Sequence, residues 1–555
     1  MKKIIFLTVA VLVFFMSSCD GVVEPAENEL QPFLPGDNLI LSGEIYELYY
    51  TEVTASNLKY EMPDDALDIL DGKISDALKI LEEESSLDVE VFMDSVREIH
   101  SYYKYMDFMF RVSEVLISKE NSEINRENYL SASNLCYDAW VKVWQFYMKS
   151  RKTPEVKKLV ENFIDDNYDL VTVVSGDPDI NEYRMKELEV EFASSYNLAE
   201  NELCKLYEEY VFNANVLAEC YGYENYYEYV SIEIYSRQSS ATERELLREY
   251  VIKYIVPLYM EYDKYADSLY ASATSSDRNA SKRYLNSKFD SFSNNPMFSY
   301  IDSLPDSASK IMRNAFELDR IIIGDTLTSA KTAFVMNFGP ISLCYFEEDE
   351  MDLDSVSHEL GHYYADFFID EKNNSYDLDE FYALSNAFLL SSHMGQTENS
   401  TAFELFSADY IANKLYQWIL CTMKDEFEEI VYSTYGTFEF TPEVLLELST
   451  NILEKYGIAG KDSSMENHML TFWQRQGMEY PCYDLNYSIA FAPSFDIYLM
   501  SLTDYKSATE LYCKLVEEYD EDLSFHTNLT EAGLTTPFEE ESYSKLMALL
   551  ELKIR

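Results

Sequence analysis

Two histidines and the glutamate between them carry the clearest chemistry in this chain. The stretch Ser355-Val356-Ser357-His358-Glu359-Leu360-Gly361-His362 reads H-E-x-x-H. On a helix, side chains four residues apart share a face, with Cβ atoms about 5–6 Å apart. Both imidazoles then reach one metal ion, and their nitrogens suit zinc. Glu359 sits one step round the helix, beside a metal-bound water rather than the metal, and is the natural general base. The chain has only six histidines, so their placement either side of an acid is specific. Gly361 points the same way, because glycine inside a helix costs about 0.8–1 kcal/mol relative to alanine and needs a compensating reason. The competing reading is an amphipathic helix with two histidines at a wet edge.

The elements that must position this helix are mostly helical. From Asp64 to about Tyr210, apolar residues recur at helical spacing, as in Ala66, Leu67, Ile69, Leu70, Ile74, Ala77 and Leu78. Breaks fall near residues 83–87, 118–128, 152–154 and 175–179. The aromatic and methionine stripe of Tyr102, Tyr103, Tyr105, Met106, Phe108 and Met109 reads as core. No chemistry is legible in this half.

At the amino terminus, Met1-Lys2-Lys3 precedes the apolar run Ile4 to Met16 and then Ser17-Ser18-Cys19. This is a secretory signal, too short for a membrane span. It is similar to a bacterial lipoprotein signal, which implies removal of residues 1–18, acylation of Cys19 and an exported chain anchored to the bacterial membrane outside the cytoplasm. Residues 19–45 carry Pro25, Pro32 and Pro35 with many acids, and read as a flexible tether. The remainder divides into an amino-terminal helical domain, 46–209, and a catalytic domain, 210–555.

A balance of 43 basic against 100 acidic residues gives a net charge of −57. That argues against nucleic acid and against electrostatic adhesion to anionic lipid. It reads as a solvated acidic surface, and a cationic substrate would be drawn inward. Beyond Cys19 stand seven cysteines with no C-x-x-C, which implies neither a disulfide framework nor a cysteine zinc site.

The stretch Ala218 to Tyr229, containing Gly222-Tyr223-Glu224-Asn225-Tyr226-Tyr227-Glu228-Tyr229, is followed by a charged helix and Val256-Pro257-Leu258. With the H-E-x-x-H helix, it resembles the M3 family of zinc peptidases, the thimet oligopeptidase and oligoendopeptidase F group. The resemblance covers roughly Tyr210 to Ala508. It implies a mostly α, M3-like zincin, with two helical halves around a deep channel and a small β-sheet beside the H-E-x-x-H helix. Asn337-Phe338-Gly339-Pro340 resembles the family's edge strand, which takes peptide by strand addition. Asp352 matches an acidic position of the family, either behind a ligand histidine or as a charge at the helix start.

Two family positions depart from pattern. The third zinc ligand is a glutamate on the following helix, in E-x-x-S. Anchoring on Ser385 puts Tyr382 at that position and Leu389 at a second acidic one. Glu380 lies two residues away and is the candidate ligand, with His393, Asp377 and Asp379 behind it. The family segment with a histidine, then proline and tyrosines, matches Tyr483 and Tyr487, whose hydroxyls the resemblance assigns to the developing oxyanion. Its histidine is Gln476 here, and His468 lies eight residues upstream.

The sequence-based expectation is therefore a surface-anchored zinc endopeptidase or oligopeptidase acting on short unfolded peptides. Glu359 is the base, His358, His362 and Glu380 hold Zn2+, and Tyr483 and Tyr487 assist. The alternative is a lipoprotein of the same fold that binds peptides without efficient hydrolysis.

Overall fold

The computed structural model describes residues 60–82, 89–119, 122–150, 200–285, 296–317, 320–324, 333–337, 342–347, 352–369, 375–397, 400–520 and 523–547, save single positions at 64, 476, 479 and 545, and a few residues between 156 and 188. The signal, Cys19 and the tether lie outside the described residues, as does Gln476.

The described chain is mostly helical. Helices α1 (Ala66–Glu82), α2 (Val89–Lys119) and α3 (Glu123–Ser150) pack on one another around Leu70, Phe92, Val96, Ile99 and Phe146. A second, larger core begins with α4 (Glu200–Cys220), whose Cys204, Tyr207, Tyr210 and Val211 are buried in it. This one helix runs through the expected boundary at 209/210.

Three short strands lie before the H-E-x-x-H helix: β1 (Ile321–Gly324), β2 (Ala333–Asn337) and β3 (Ser342–Glu347). Their order is β1-β3-β2, with β1 parallel and β2 antiparallel to β3, and Val335 pairs with Cys344. Among the described residues β2 is therefore an edge strand. It ends at Asn337, and Phe338 to Pro340 lie outside the described residues. The sheet packs on α5 (Leu353–Ala365), which carries H-E-x-x-H.

The centre of the large core is α6 (Tyr376–Thr397). Leu378, Phe381, Tyr382, Leu384, Phe388, Leu389 and Leu390 cover its whole circumference, and all are buried. A helix apolar on every side must be enclosed. Helices α7 (Thr401–Ser433) and α8 (Asp484–Ser501) help to enclose it, and α9 (Tyr505–Glu517) packs beside them. Among the described residues, the packing of α6 on α8 and on α5 is the most extensive. Rings join these helices: Phe388 meets Phe495 at 4.6 Å, and Trp418 stacks on Phe491 at 5.5 Å and Phe495 at 5.8 Å. Each such ring contributes roughly 1.5–3 kcal/mol by burial. Among the described residues, no helix is long and apolar enough to cross a membrane.

Candidate metal centre

Asp352 sets the start of α5. Its backbone is extended, and its side chain accepts from the Ser355 N–H at 2.7 Å, which makes it the N-cap. Of the two roles open to Asp352, the structure gives it the one at the helix start. Further along the helix, His358 and His362 project from the same face, their ring centroids 4.9 Å apart and nearly perpendicular.

Gly361 decides what these rings meet. A Cβ at this position would lie 2.6 Å from Ala383 Cα and 2.9 Å from the Tyr382 carbonyl oxygen. The missing side chain is thus what lets α5 cross α6 backbone to backbone. The compensating reason for a helical glycine is this crossing, and residue 380, about one turn before Ala383, falls beside the histidines. Glu380 Oε2 lies 3.3 Å from His358 Nε2 and 4.0 Å from His362 Nε2.

The other ligand candidates point elsewhere. Tyr382 donates its hydroxyl to the Leu515 carbonyl at 2.9 Å, deep in the core. Ser385, the anchor of the family pattern, bonds Ser494 on α8 at 3.2 Å, and Leu389 is core. His393 pairs with Ser299 at 2.9 Å, and lies thirteen residues, about 20 Å along a helix, beyond Glu380. Asp377 lies 3.7 Å from Arg237. Asp379 faces Nδ1 of His362 at 3.8 Å, on the far side of the ring from Glu380. His468 is exposed and bonds Tyr416 at 2.5 Å.

The tyrosines complete the group. Tyr483 donates to Glu380 Oε1, so the two oxygens of one carboxylate are divided between a hydroxyl and the imidazoles. Tyr487 lies ring to ring with His358 at 6.1 Å. Burial, then the Glu380 charge, holds both hydroxyls well above the usual tyrosine pKa, so both are neutral donors at pH 7. Glu359 is buried on the same helix, and its charge bears on His362 and Tyr487.

Electrostatically the site calls for a cation. Burial opposes ionisation of Glu380, but contact with His358, the charge of His362 and the Tyr483 hydroxyl hold its carboxyl below the usual range. Burial likewise disfavours a charged His362, yet Asp379, Glu380 and Glu359 raise it to about 10. Three acids around two imidazoles thus have charge left to neutralise. The donor atoms of His358, His362 and Glu380 all lie within 4.8 Å of one another. Glu380 Oε2 is buried, and the imidazole nitrogens of His358 and His362 are among the polar atoms that face it. Two imidazole nitrogens and one such oxygen fit the three-ligand set of a catalytic zinc site.

No protein-family model and no curated protein matches the chain. Solved structures do. A provisionally named oligoendopeptidase F superposes with a TM-score of 0.66 at 16% identity, over 90% of this chain and 98% of its own. Another from Bacillus anthracis gives 0.65 at 15%, with the same coverage. Pz peptidase A, solved with an inhibitor, gives 0.65 at 14%, again over 90% and 98%. The chain has the oligoendopeptidase F fold. At this identity the likeness concerns the fold, and within the oligoendopeptidase F fold the His358, His362 and Glu380 group resembles an H-E-x-x-H…E zinc site.

Two contacts escaped the sequence. Asp379 is a candidate ligand there, but its place behind Nδ1 of His362 has only its position on α6 as a signal. Arg237 meets Asp377 across 140 positions, with no local mark. A separate cavity of 420 Å³, lined by Ser392, Gln396, Phe403, Tyr498 and Tyr505 among others, lies toward the other ends of α6 and α8 and contains none of the metal-site residues.

Proposed function

We propose that this chain is a zinc-dependent endopeptidase or oligopeptidase that hydrolyses short unfolded peptides, exported and held at a bacterial membrane through a lipid on Cys19. The observation that carries the reading is the buried Glu380 Oε2 facing both imidazoles of an H-E-x-x-H helix. His358, His362 and Glu380 would hold the ion, which when bound supplies a Lewis acid for the carbonyl and lowers the pKa of water.

The remaining work falls to the chain. Glu359 takes a proton from the attacking water and delivers it to the leaving amine. Tyr487 donates to the carbonyl oxygen as charge develops there, a contribution of roughly 2.7–4 kcal/mol for one such donor. Tyr483, whose hydroxyl rests on Glu380, orients the ligand carboxylate. Asp379 does the same for His362. Peptide is admitted through a channel between the amino-terminal helical half and the catalytic half, and pairs along the edge of β2. A channel of that kind excludes folded proteins.

A second reading has one residue in its favour. Gln476, standing where the resembling family has histidine, donates a hydrogen bond but cannot carry a proton. The chain would then capture peptides without efficient hydrolysis.

Glu359→Gln separates the two readings. A peptidase loses about 10²–10⁴-fold in kcat on quenched peptides and keeps one zinc per chain. Equal absence of cleavage in parent and variant, with peptide still bound, gives the second reading. A parent that takes up no zinc sinks the first. Retention of Cys19→Ser in the membrane fraction would remove the lipid anchor from the reading.

A further inference from the structure

Three non-glycine residues among the described residues hold left-handed backbone: Ser236 (φ 49°), Tyr480 (φ 50°) and Cys482 (φ 62°). Such conformations cost on the order of 1–3 kcal/mol each and persist only where the surroundings over-determine them. All three lie at one junction. Tyr235 donates its hydroxyl to the Pro481 carbonyl at 2.9 Å, and Arg237 donates to the Cys482 carbonyl. The strap 235–237 thus grips the strained turn 480–482 that leads into Tyr483.

Arg237 is 5% exposed and its guanidinium is used on every side. Nε donates to Asn486 Oδ1 at 2.9 Å, Nη1 to Ser231 Oγ at 3.1 Å and Nη2 to the Cys482 carbonyl. Asp377 Oδ1 lies 3.7 Å from Nε, and the Tyr235 ring stacks at 4.6 Å. The partners fall on two sides of the metal group. Asp377 is three residues before Glu380 on α6, and the first amide of that helix, at Tyr376, donates to the Tyr235 carbonyl at 3.3 Å. Cys482 and Asn486 bracket Tyr483 at the start of α8, and Tyr487 follows directly.

We propose that Arg237 is a positioning residue that fixes the spacing between Glu380 on α6 and Tyr483 at the start of α8, and so aims the carboxylate at His358 and His362. This rests on the zinc reading of the site. One planar fork ties both elements to a common strap, and the Tyr483–Glu380 hydrogen bond closes the loop between them. The strained turn is what that arrangement requires: Cys482 in a left-handed conformation presents its carbonyl to Arg237 while Tyr483 turns toward Glu380. A lysine retains a point charge for Asp377 but has no fork to hold Cys482 and Asn486 together.

The test uses the full chain as parent, Arg237→Gln, Arg237→Lys, Tyr483→Phe and the Arg237→Gln/Tyr483→Phe double variant. Zinc affinity is measured by competition with a chromophoric chelator, alongside kcat and KM on a quenched peptide and the urea unfolding midpoint. Arg237→Gln is expected to weaken zinc about 10–100-fold and to lower kcat with KM little changed. In the Tyr483→Phe background the same change adds little, since both act through one contact. Arg237→Lys recovers zinc affinity more than kcat. Parent-like zinc affinity in Arg237→Gln, or losses fully additive with Tyr483→Phe, overturns the inference. Losses that merely follow the unfolding midpoint, with no recovery in Arg237→Lys, also overturn it by making Arg237 a stability residue alone. A parent that binds zinc without cleaving peptide defeats the peptidase reading, while the zinc measurements still decide the role of Arg237. A parent that binds no zinc defeats both.

Discussion

The hydroxyl of Tyr483 rests on Oε1 of Glu380, leaving Oε2 to face the imidazoles. A carboxylate held at one oxygen cannot rotate freely to offer the other, so its aim is set before a cation arrives. Partners of this kind behind metal ligands are worth 10–100-fold in metal affinity or activity. Tyr483→Phe should therefore weaken zinc by about that factor with little change in the unfolding midpoint. Chelator competition reads the first and urea titration the second; unaltered zinc affinity would detach Tyr483 from the ligand.

The crossing at Gly361 makes a prediction about stability. Alanine is the better helix former by about 1 kcal/mol, which alone would stabilise α5. Against this, its methyl would lie 2.6 Å from Ala383 Cα, a backbone atom with no rotamer to change. Overpacking costs typically 1–3 kcal/mol, occasionally more, so the clash outweighs the propensity. Gly361→Ala should lower the denaturation midpoint and weaken zinc together, as α5 moves off α6. A variant more stable than the parent would mean the helices do not touch there.

Acid sensitivity should come in part from His393. Burial lowers its pKa below the 6.5 of the unfolded chain, and Ser299 is its hydrogen-bond partner. The unfolded state then binds more protons as pH falls through this window. The stabilisation from a neutral buried His393 is fully present above about pH 6.5 and is lost as pH drops through the lower folded-state value. His526, half-buried and with a pKa likewise lowered by desolvation, acts in the same direction. His393→Gln should flatten, without abolishing, the decline of unfolding free energy as pH falls below about 6.5. An unchanged slope would exclude the residue as a contributor.

The H-E-x-x-H pair was legible because a helix converts spacing into a shared face without help from the rest of the chain. The oligoendopeptidase F fold was legible from the same helix and the Gly222 to Tyr229 stretch. Glu380 was only half legible. Counting back from Ser385 led to Tyr382, and the choice between them depends on where two helices cross. That crossing is fixed by the absence of a side chain at Gly361, which sequence marks as unusual but does not assign to a partner. Arg237 was not legible at all, since its contacts with Asp377, Cys482 and Asn486 arise only when distant segments meet. The amino-terminal signal rests on sequence alone.

Helix α6, enclosed over its central turns, delivers Glu380 from within the core, where the residue is fully buried. Amide protons in such a segment exchange with solvent only when the whole core opens. On the zinc reading proposed above, Glu380 is therefore set in place during folding, not on meeting a metal. Slow, global exchange along α6 in chelator-treated protein, matching that of the zinc-loaded form, is the signature of a receptacle finished before its cargo arrives.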